Sequence, residues 1–215
     1  MFQLYFFVLL IALLLYCFLP RYLLSIYRRY RGDSYWLEVQ PYKKHYPSYW
    51  VVVLFVIASL ELSELNLGQL FYLVFISFLL SLSWLDLKLR VLPDELVLTL
   101  ALSGLMYQYF VINGNLLLPI AIGVTGLAYA KILERFMVRV GDSPSVSGIG
   151  AGDIKLILAL ACWFDIVALF YLLVIACSVA LLVVLLRSIF LKEATTSVAF
   201  APYLSFATYI MWWYG

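Results

Sequence analysis

Charged residues are scarce in this chain. Asp, Glu, Lys and Arg make up 12% of the 215 residues, whereas soluble domains carry roughly 25%. Hydrophobic residues make up 66%, and the formal net charge is only +2. A charge this small gives no indication of a nucleic-acid partner. The composition therefore excludes an ordinary soluble domain and predicts a polytopic integral membrane protein in contact with the lipid bilayer.

Residues that bind metals or form disulfides are also few. The cysteines Cys17, Cys162 and Cys177 lie inside apolar runs and form no Cys-x-x-Cys pair. This pattern predicts packed thiols rather than a disulfide framework or a zinc site. The single histidine, His45, lies among aromatic and basic residues, so no Ser-His-Asp set is available. No metal site is predicted, and His45 is not expected to be catalytic.

Long apolar runs are abundant. Because crossing a bilayer takes about 20 apolar residues, the runs predict an all-α fold of about eight transmembrane helices with short loops. The sixth run is short, because Asp165 interrupts the stretch from Ile154 to Leu186, and a tight turn is predicted there. Residues 1–19 lack a signal-peptide pattern and are expected to stay as the first helix. The predicted spans are 2–19, 50–67, 69–85, 96–113, 116–133, 154–165, 167–186 and 197–213.

The positions of the basic residues predict the orientation of these helices. All 14 Lys and Arg fall in four segments, 20–49, 86–95, 131–155 and 187–196. With eight spans these segments share one side, and an excess of Lys and Arg marks the cytoplasmic side. Both termini are then expected to face outward. The first helix and its basic, aromatic loop form one predicted region, 1–49, and the remaining helices form the second, 50–215.

Two aspartates carry the predicted chemistry. Gly150 and Gly152 precede Asp153, which stands at the start of an apolar run, and Asp86 ends another such run. A carboxylate at the membrane edge is costly and indicates a functional site. Two neighbouring carboxyl groups share one proton, so one can activate water while the other donates to a carbonyl oxygen. This chemistry suits peptide hydrolysis near a membrane, and the glycines would let the substrate backbone approach Asp153 closely.

Two further charged residues accompany these motifs. Asp94 follows Pro93 at a predicted helix start, where an acid offsets the helix dipole. A role toward the substrate or in the geometry of the active site is the alternative for Asp94. Lys155 can pair with a carboxylate or extend to the lipid headgroups. The sequence leaves both choices open.

The motifs resemble those of a known family. Gly150–Asp153 resembles the Gly-x-Gly-Asp signature of membrane aspartic proteases. The strings 84–96 and 148–156 are similar to the two active-site segments of bacterial type IV prepilin peptidases. Residues 199–204 resemble that family's Pro-Phe-Gly-Pro segment, with Ala199 and Ala201 replacing Pro and Gly.

The resemblance implies that Asp86 and Asp153 are the catalytic pair of a peptidase in the bacterial cytoplasmic (inner) membrane, active on its cytoplasmic side. The implied substrates are type IV prepilins or type II secretion pseudopilins, whose basic leader ends in Gly. Proteolysis is expected to need no cofactor, whereas many members also N-methylate the product with S-adenosylmethionine. Longer relatives carry a domain with two Cys-x-x-Cys pairs after the first span. Here residues 43–47 resemble only the end of that domain, and those cysteines are missing.

Two other functions fit parts of the pattern. Paired acids in membranes also serve as proton relays, so a proton-coupled transporter is the main alternative. Both acids are expected at one membrane face, however, and the chain has no internal repeat of the kind transporters often have. A structural component of a pilus or secretion machine with an inactive pair is the second alternative. Neutral replacement of either aspartate would separate a peptidase from a scaffold.

Overall fold

The computed structural model describes residues 2–30, 49–60, 66–112, 114, 117, 120–121, 124–125, 151–191 and 198–214. Within these residues all regular secondary structure is helical, which confirms the predicted fold class for this part of the chain. The helices are α1 (Phe2–Tyr30), α2 (Tyr49–Ser59), α3 (Leu67–Leu89), α4 (Asp94–Tyr107), α5 (Ala151–Leu160), α6 (Ile166–Leu191) and α7 (Ala201–Tyr214), and a π-helical turn, Gln108–Ile112, continues α4.

Three of the described stretches are long and apolar enough to cross a membrane: Leu67–Leu87, Asp94–Ile112 and Ile166–Phe190. They correspond to the third, fourth and seventh predicted spans. The predicted fifth span, 116–133, lies almost wholly outside the described residues. The part of the chain that the structure describes is therefore all-helical, with three candidate spans.

Two helix ends differ from the prediction. Helix α1 continues beyond the predicted span 2–19 to Tyr30, although Pro20 lacks the backbone N–H that would donate within the helix. The prediction of one helix over 50–67 is wrong, since α2 ends at Ser59. Asn66 instead caps α3: its side-chain Oδ1 accepts a hydrogen bond from the Gln69 backbone N at 2.8 Å. A capping Asn begins a new helix, and this explains the error.

The chain forms two compact units, Met1–Pro93 and Asp94–Gly215. In the first unit, α1, α2 and α3 pack against one another. Helix α3 supplies most of the large, fully buried side chains of this unit. They include Tyr72, Leu73, Phe75, Leu82 and Leu85. Burial of this apolar face holds α3, and with it Asp86, in a fixed place within the unit.

In the second unit, α4 packs against α5 and α6 packs against α7. Helices α4 and α5 run parallel. Their first turns meet at Asp94 and Lys155, and Trp163, just after the end of α5, contacts Leu100 further along α4. Helix α7 runs antiparallel to α6, since Trp212 near its end contacts Phe164 just before α6 begins. The N-termini of α4 and α5 therefore lie at the same end of this unit.

Trp163 joins the far ends of α4 and α5. Its side chain is 2% exposed, and its indole Nε1 donates to the Leu100 carbonyl oxygen at 2.8 Å. The Gln108 side-chain Nε2 donates to the Trp163 carbonyl oxygen at 3.2 Å. The Tyr107 ring stacks on Trp163, with the ring centroids 5.2 Å apart. These contacts satisfy polar groups that are costly to leave unpaired in an apolar environment.

The predicted break at Asp165 is confirmed. Helix α5 ends at Leu160, and α6 begins at Ile166. Asp165 caps α6, because its Oδ1 accepts a hydrogen bond from the Ala168 backbone N at 2.9 Å. A carboxylate at this position satisfies a free backbone donor and offsets the helix dipole. The acid that interrupts the apolar run is therefore the residue that starts the next helix.

Candidate active site

Asp86 lies in the last turn of α3 and is 6% exposed. Its backbone oxygen accepts a hydrogen bond from the Arg90 backbone N at 2.9 Å. Leu82 and Leu85, in the preceding turn, are fully buried. The sequence predicted a carboxylate at the end of an apolar helix, and the structure buries this one in the last turn of α3, inside the first unit.

Helix α3 ends in a backbone conformation that the sequence does not indicate. Arg90, the C-cap residue, has φ 54° and ψ 37°, in the left-handed region. Gly or Asn usually occupies such a position, and another residue there costs roughly 1–2 kcal/mol. Arg90 follows Asp86 by one helical turn, so α3 ends within one turn of the buried carboxylate.

Asp153 lies in the first turn of α5 and is partly buried. The backbone N–H groups of a first turn create a positive end of the helix, which favours a negative charge there. Gly152, just before it, is also helical and partly buried. Gly150 lies outside the described residues, so the expected role of the full Gly-x-Gly-Asp string stays a prediction.

Lys155 forms an ion pair with Asp94. The Lys155 Nζ lies 2.8 Å from Asp94 Oδ1, and the side chains are 36% and 72% exposed, respectively. This contact decides one choice that the sequence left open, since Lys155 pairs with a carboxylate. Asp94 also occupies the first turn of α4, so its position suits the helix dipole as well. The structure thus links the first turns of two helices that are distant in sequence.

The second unit brings Asp94 and Lys155 together, with Asp153 two residues away on α5. Asp86 belongs to the first unit, and the pairing of Asp86 with Asp153 stays a prediction. Within the described residues, no group of three or more His, Cys, Asp or Glu side chains could hold a metal ion.

The sequence did not identify Trp163 as a contact between α4 and α5. Gly104 and Gln108, within an apolar run, could have indicated a close helix contact there.

Comparison with known proteins identifies relatives that are all leader peptidases. The model of the type IV leader peptidase family, Peptidase_A24, matches residues 73–185. A prepilin leader peptidase/N-methyltransferase of Xanthomonas campestris pv. campestris is 29% identical over 143 residues, covering 64% of this chain and 47% of that protein. A protein of the same name from Pectobacterium carotovorum subsp. carotovorum is 33% identical over 137 residues, covering 62% of this chain and 47% of that protein. No solved structure matches the chain.

The chain spans about half the length of these curated relatives. The family match nevertheless covers more than half of the chain and runs through both aspartate motifs. Asp86, Asp94, Asp153 and Lys155 all fall within it. This chain therefore belongs to the type IV leader peptidase family.

Proposed function

We propose that this protein is a membrane-bound aspartic endopeptidase that removes the leader peptide of type IV prepilins or type II secretion pseudopilins. The observation that carries this proposal is the family match over residues 73–185, which includes both Asp86 and Asp153. Both relatives bear the name prepilin leader peptidase/N-methyltransferase. Neither name describes a transporter, so nothing in the comparisons favours that alternative.

The proposed setting is the bacterial inner membrane, crossed by about eight helices, with the active site at the cytoplasmic face. The parallel packing of α4 and α5 supports this topology, because it requires both helices to start at the same side. The antiparallel arrangement of α6 and α7 agrees with two consecutive spans. In this topology the basic segments 86–95 and 187–196 both face the cytoplasm.

In the proposed reaction Asp153 is the general base and Asp86 is the general acid. Asp153 stands at the positive end of α5, which favours its carboxylate. Asp86 is buried in the last turn of α3, where the helix dipole opposes a negative charge. Asp153 takes a proton from water while the Asp86 carboxyl donates to the scissile carbonyl oxygen. The water oxygen bonds to the scissile carbon and gives a diol. When the C–N bond breaks, Asp153 passes its proton to the leaving nitrogen and Asp86 recovers a proton from a diol hydroxyl.

A second activity, N-methylation of the new N-terminus with S-adenosylmethionine, is also proposed. It rests on the names of the two relatives, about half of whose length this chain spans. The test incubates the purified protein in detergent with candidate prepilins, with and without S-adenosylmethionine, and measures product masses. Loss of the leader mass shows the peptidase, and a further gain of one methyl group shows the transferase. Intact prepilins after prolonged incubation would contradict the proposed function.

Cleavage is expected to be insensitive to metal removal. The proposed chemistry activates water with a carboxylate, and the chain contains one histidine and no Cys-x-x-Cys pair. Treatment with EDTA should therefore change the cleavage rate by less than about twofold, measured by the mass of the released product. Loss of cleavage on EDTA treatment that zinc restores would overturn this expectation.

A further inference from the structure

We propose that the ion pair between Asp94 and Lys155 is a positioning device that sets the rotation of α5 and so aims the Asp153 carboxylate. The inference rests on the proposed function, since it assigns a task to two residues beside the proposed catalytic base. The starting observation is the 2.8 Å contact between Lys155 Nζ and Asp94 Oδ1. The pair connects the first turn of α5 to the first turn of α4.

The spacing within α5 links Lys155 to the direction of Asp153. At 3.6 residues per turn, two residues two positions apart point about 200° apart around the helix. Because Lys155 points toward α4, Asp153 lies on the side of α5 that faces away from Asp94. With the side-chain surface about 5 Å from the helix axis, a rotation of about 20° displaces a carboxylate by about 2 Å. A misplacement of about 1 Å can cost about 100-fold in rate.

The ion pair works together with the contact at the other end of α5. Trp163 lies just beyond this end. Its indole Nε1 donates a hydrogen bond to the Leu100 carbonyl oxygen, and its carbonyl oxygen accepts one from Gln108 Nε2. Leu156, Ala159 and Leu160 of α5 are also buried, so apolar packing holds the body of the helix, and the ion pair adds a polar contact at its first turn. The Asp94–Lys155 pair is the anchor nearer to Asp153, so its loss acts most strongly on the first turn.

Because the ion pair is partly exposed, its effect on kcat can be measured separately from its effect on stability. Ion pairs with exposed side chains contribute little to stability, and the Asp94 side chain is 72% exposed. Lys155→Met and Asp94→Asn should therefore leave the thermal midpoint nearly unchanged. The two variants should nevertheless lower kcat for prepilin cleavage by about 10-fold, with KM within about twofold, because the affected group acts on the reacting bond.

The conservative variants and a matched control complete the kinetic test. Lys155→Arg retains the cation, so its kcat should stay within about threefold of the wild type. The double replacement Asp94→Lys with Lys155→Asp should recover much of the kcat that each single reversal loses. Asp165→Ala is the control, because Asp165 is also a carboxylate at a helix N-terminus but bonds to Ala168 rather than to Lys155. Its kcat should equal that of the wild type.

A measurement independent of cleavage tests the same idea. A spin label is attached to an Asp153→Cys variant in a background whose three native cysteines are replaced by alanine. Lys155→Met should increase the mobility of the label in its electron paramagnetic resonance spectrum, whereas Asp165→Ala should not. Unchanged label mobility together with wild-type kcat in Lys155→Met and Asp94→Asn would overturn the positioning role. If the wild type cleaves no prepilin, the proposed function fails, and the label mobility still decides whether the pair orients residue 153.

Discussion

Asp86→Asn and Asp153→Asn are each expected to lower the rate of prepilin cleavage by at least about 100-fold, since general acid–base catalysis contributes roughly 10²- to 10⁴-fold per group. An amide at residue 153 cannot take the proton from water. An amide at residue 86 cannot supply the acidic proton to the carbonyl oxygen. The substitutions change neither the size nor the shape of the side chains much, so insertion and thermal stability should be retained. Single-turnover cleavage followed by mass spectrometry measures the loss.

The matched control for these variants is Asp165→Asn. Asparagine still caps a helix, and Asp165 accepts its hydrogen bond from Ala168 at the start of α6. Cleavage by this variant should stay within about twofold of the wild type. Near-normal turnover by either Asp86→Asn or Asp153→Asn would show that the proposed catalytic pair is wrong, even if the protein proved to be a peptidase.

Gly104→Ala is expected to lower the free energy of unfolding by about 2–4 kcal/mol, because it disrupts the Trp163 anchor. A Cβ atom at residue 104 would lie 2.6 Å from Trp163 Cδ1 and 2.7 Å from Trp163 Nε1. It would also lie 3.0 Å from the backbone carbonyl carbon of Cys162. The indole must then move, and it loses its hydrogen bond to the Leu100 oxygen in a buried environment. Thermal unfolding in detergent measures the effect.

Leu102→Ala is the control for this prediction. Leu102 lies on the same helix but is 48% exposed, so its truncation leaves little cavity and should cost less than about 1 kcal/mol. A second test combines Gly104→Ala with Trp163→Phe, which shortens the ring and removes the indole donor. The double variant should be less destabilised than the sum of the two single variants. Wild-type stability in Gly104→Ala would mean that the helices do not approach as closely as described.

The sequence predicted features that depend on one segment at a time. An acid in an otherwise apolar run predicted the break at Asp165, since a buried unpaired carboxylate is too costly within a helix that crosses a membrane. Helices α3, α4 and α6 cover the predicted spans with ends shifted by a few residues. Such ends depend on local capping, as Asn66 shows at the start of α3. Apolar length and charge placement were therefore enough to predict the fold class.

Contacts between distant segments could not be predicted in the same way. Asp94 and Lys155 are 61 residues apart, and the sequence allowed Lys155 either a carboxylate or the lipid headgroups. The left-handed Arg90 was missed because Gly and Asn are the usual signals for that conformation. The contact of Trp163 with Gly104 depends on how two helices pack, which apolar periodicity does not specify. The chemistry of the two aspartates was predicted from their motifs, and both that chemistry and their pairing stay predictions.

The shortness of α5 has a consequence for biosynthesis. Its 10 residues rise about 15 Å, half of a hydrocarbon core of about 30 Å, and they include Asp153 and Lys155. Such a segment lacks the hydrophobicity for insertion by the translocon on its own. The 26-residue α6 is apolar enough, and the turn at 161–165 ties α5 to it. Insertion of α5 is therefore expected to depend on synthesis of α6, with the two helices entering the membrane together as a hairpin.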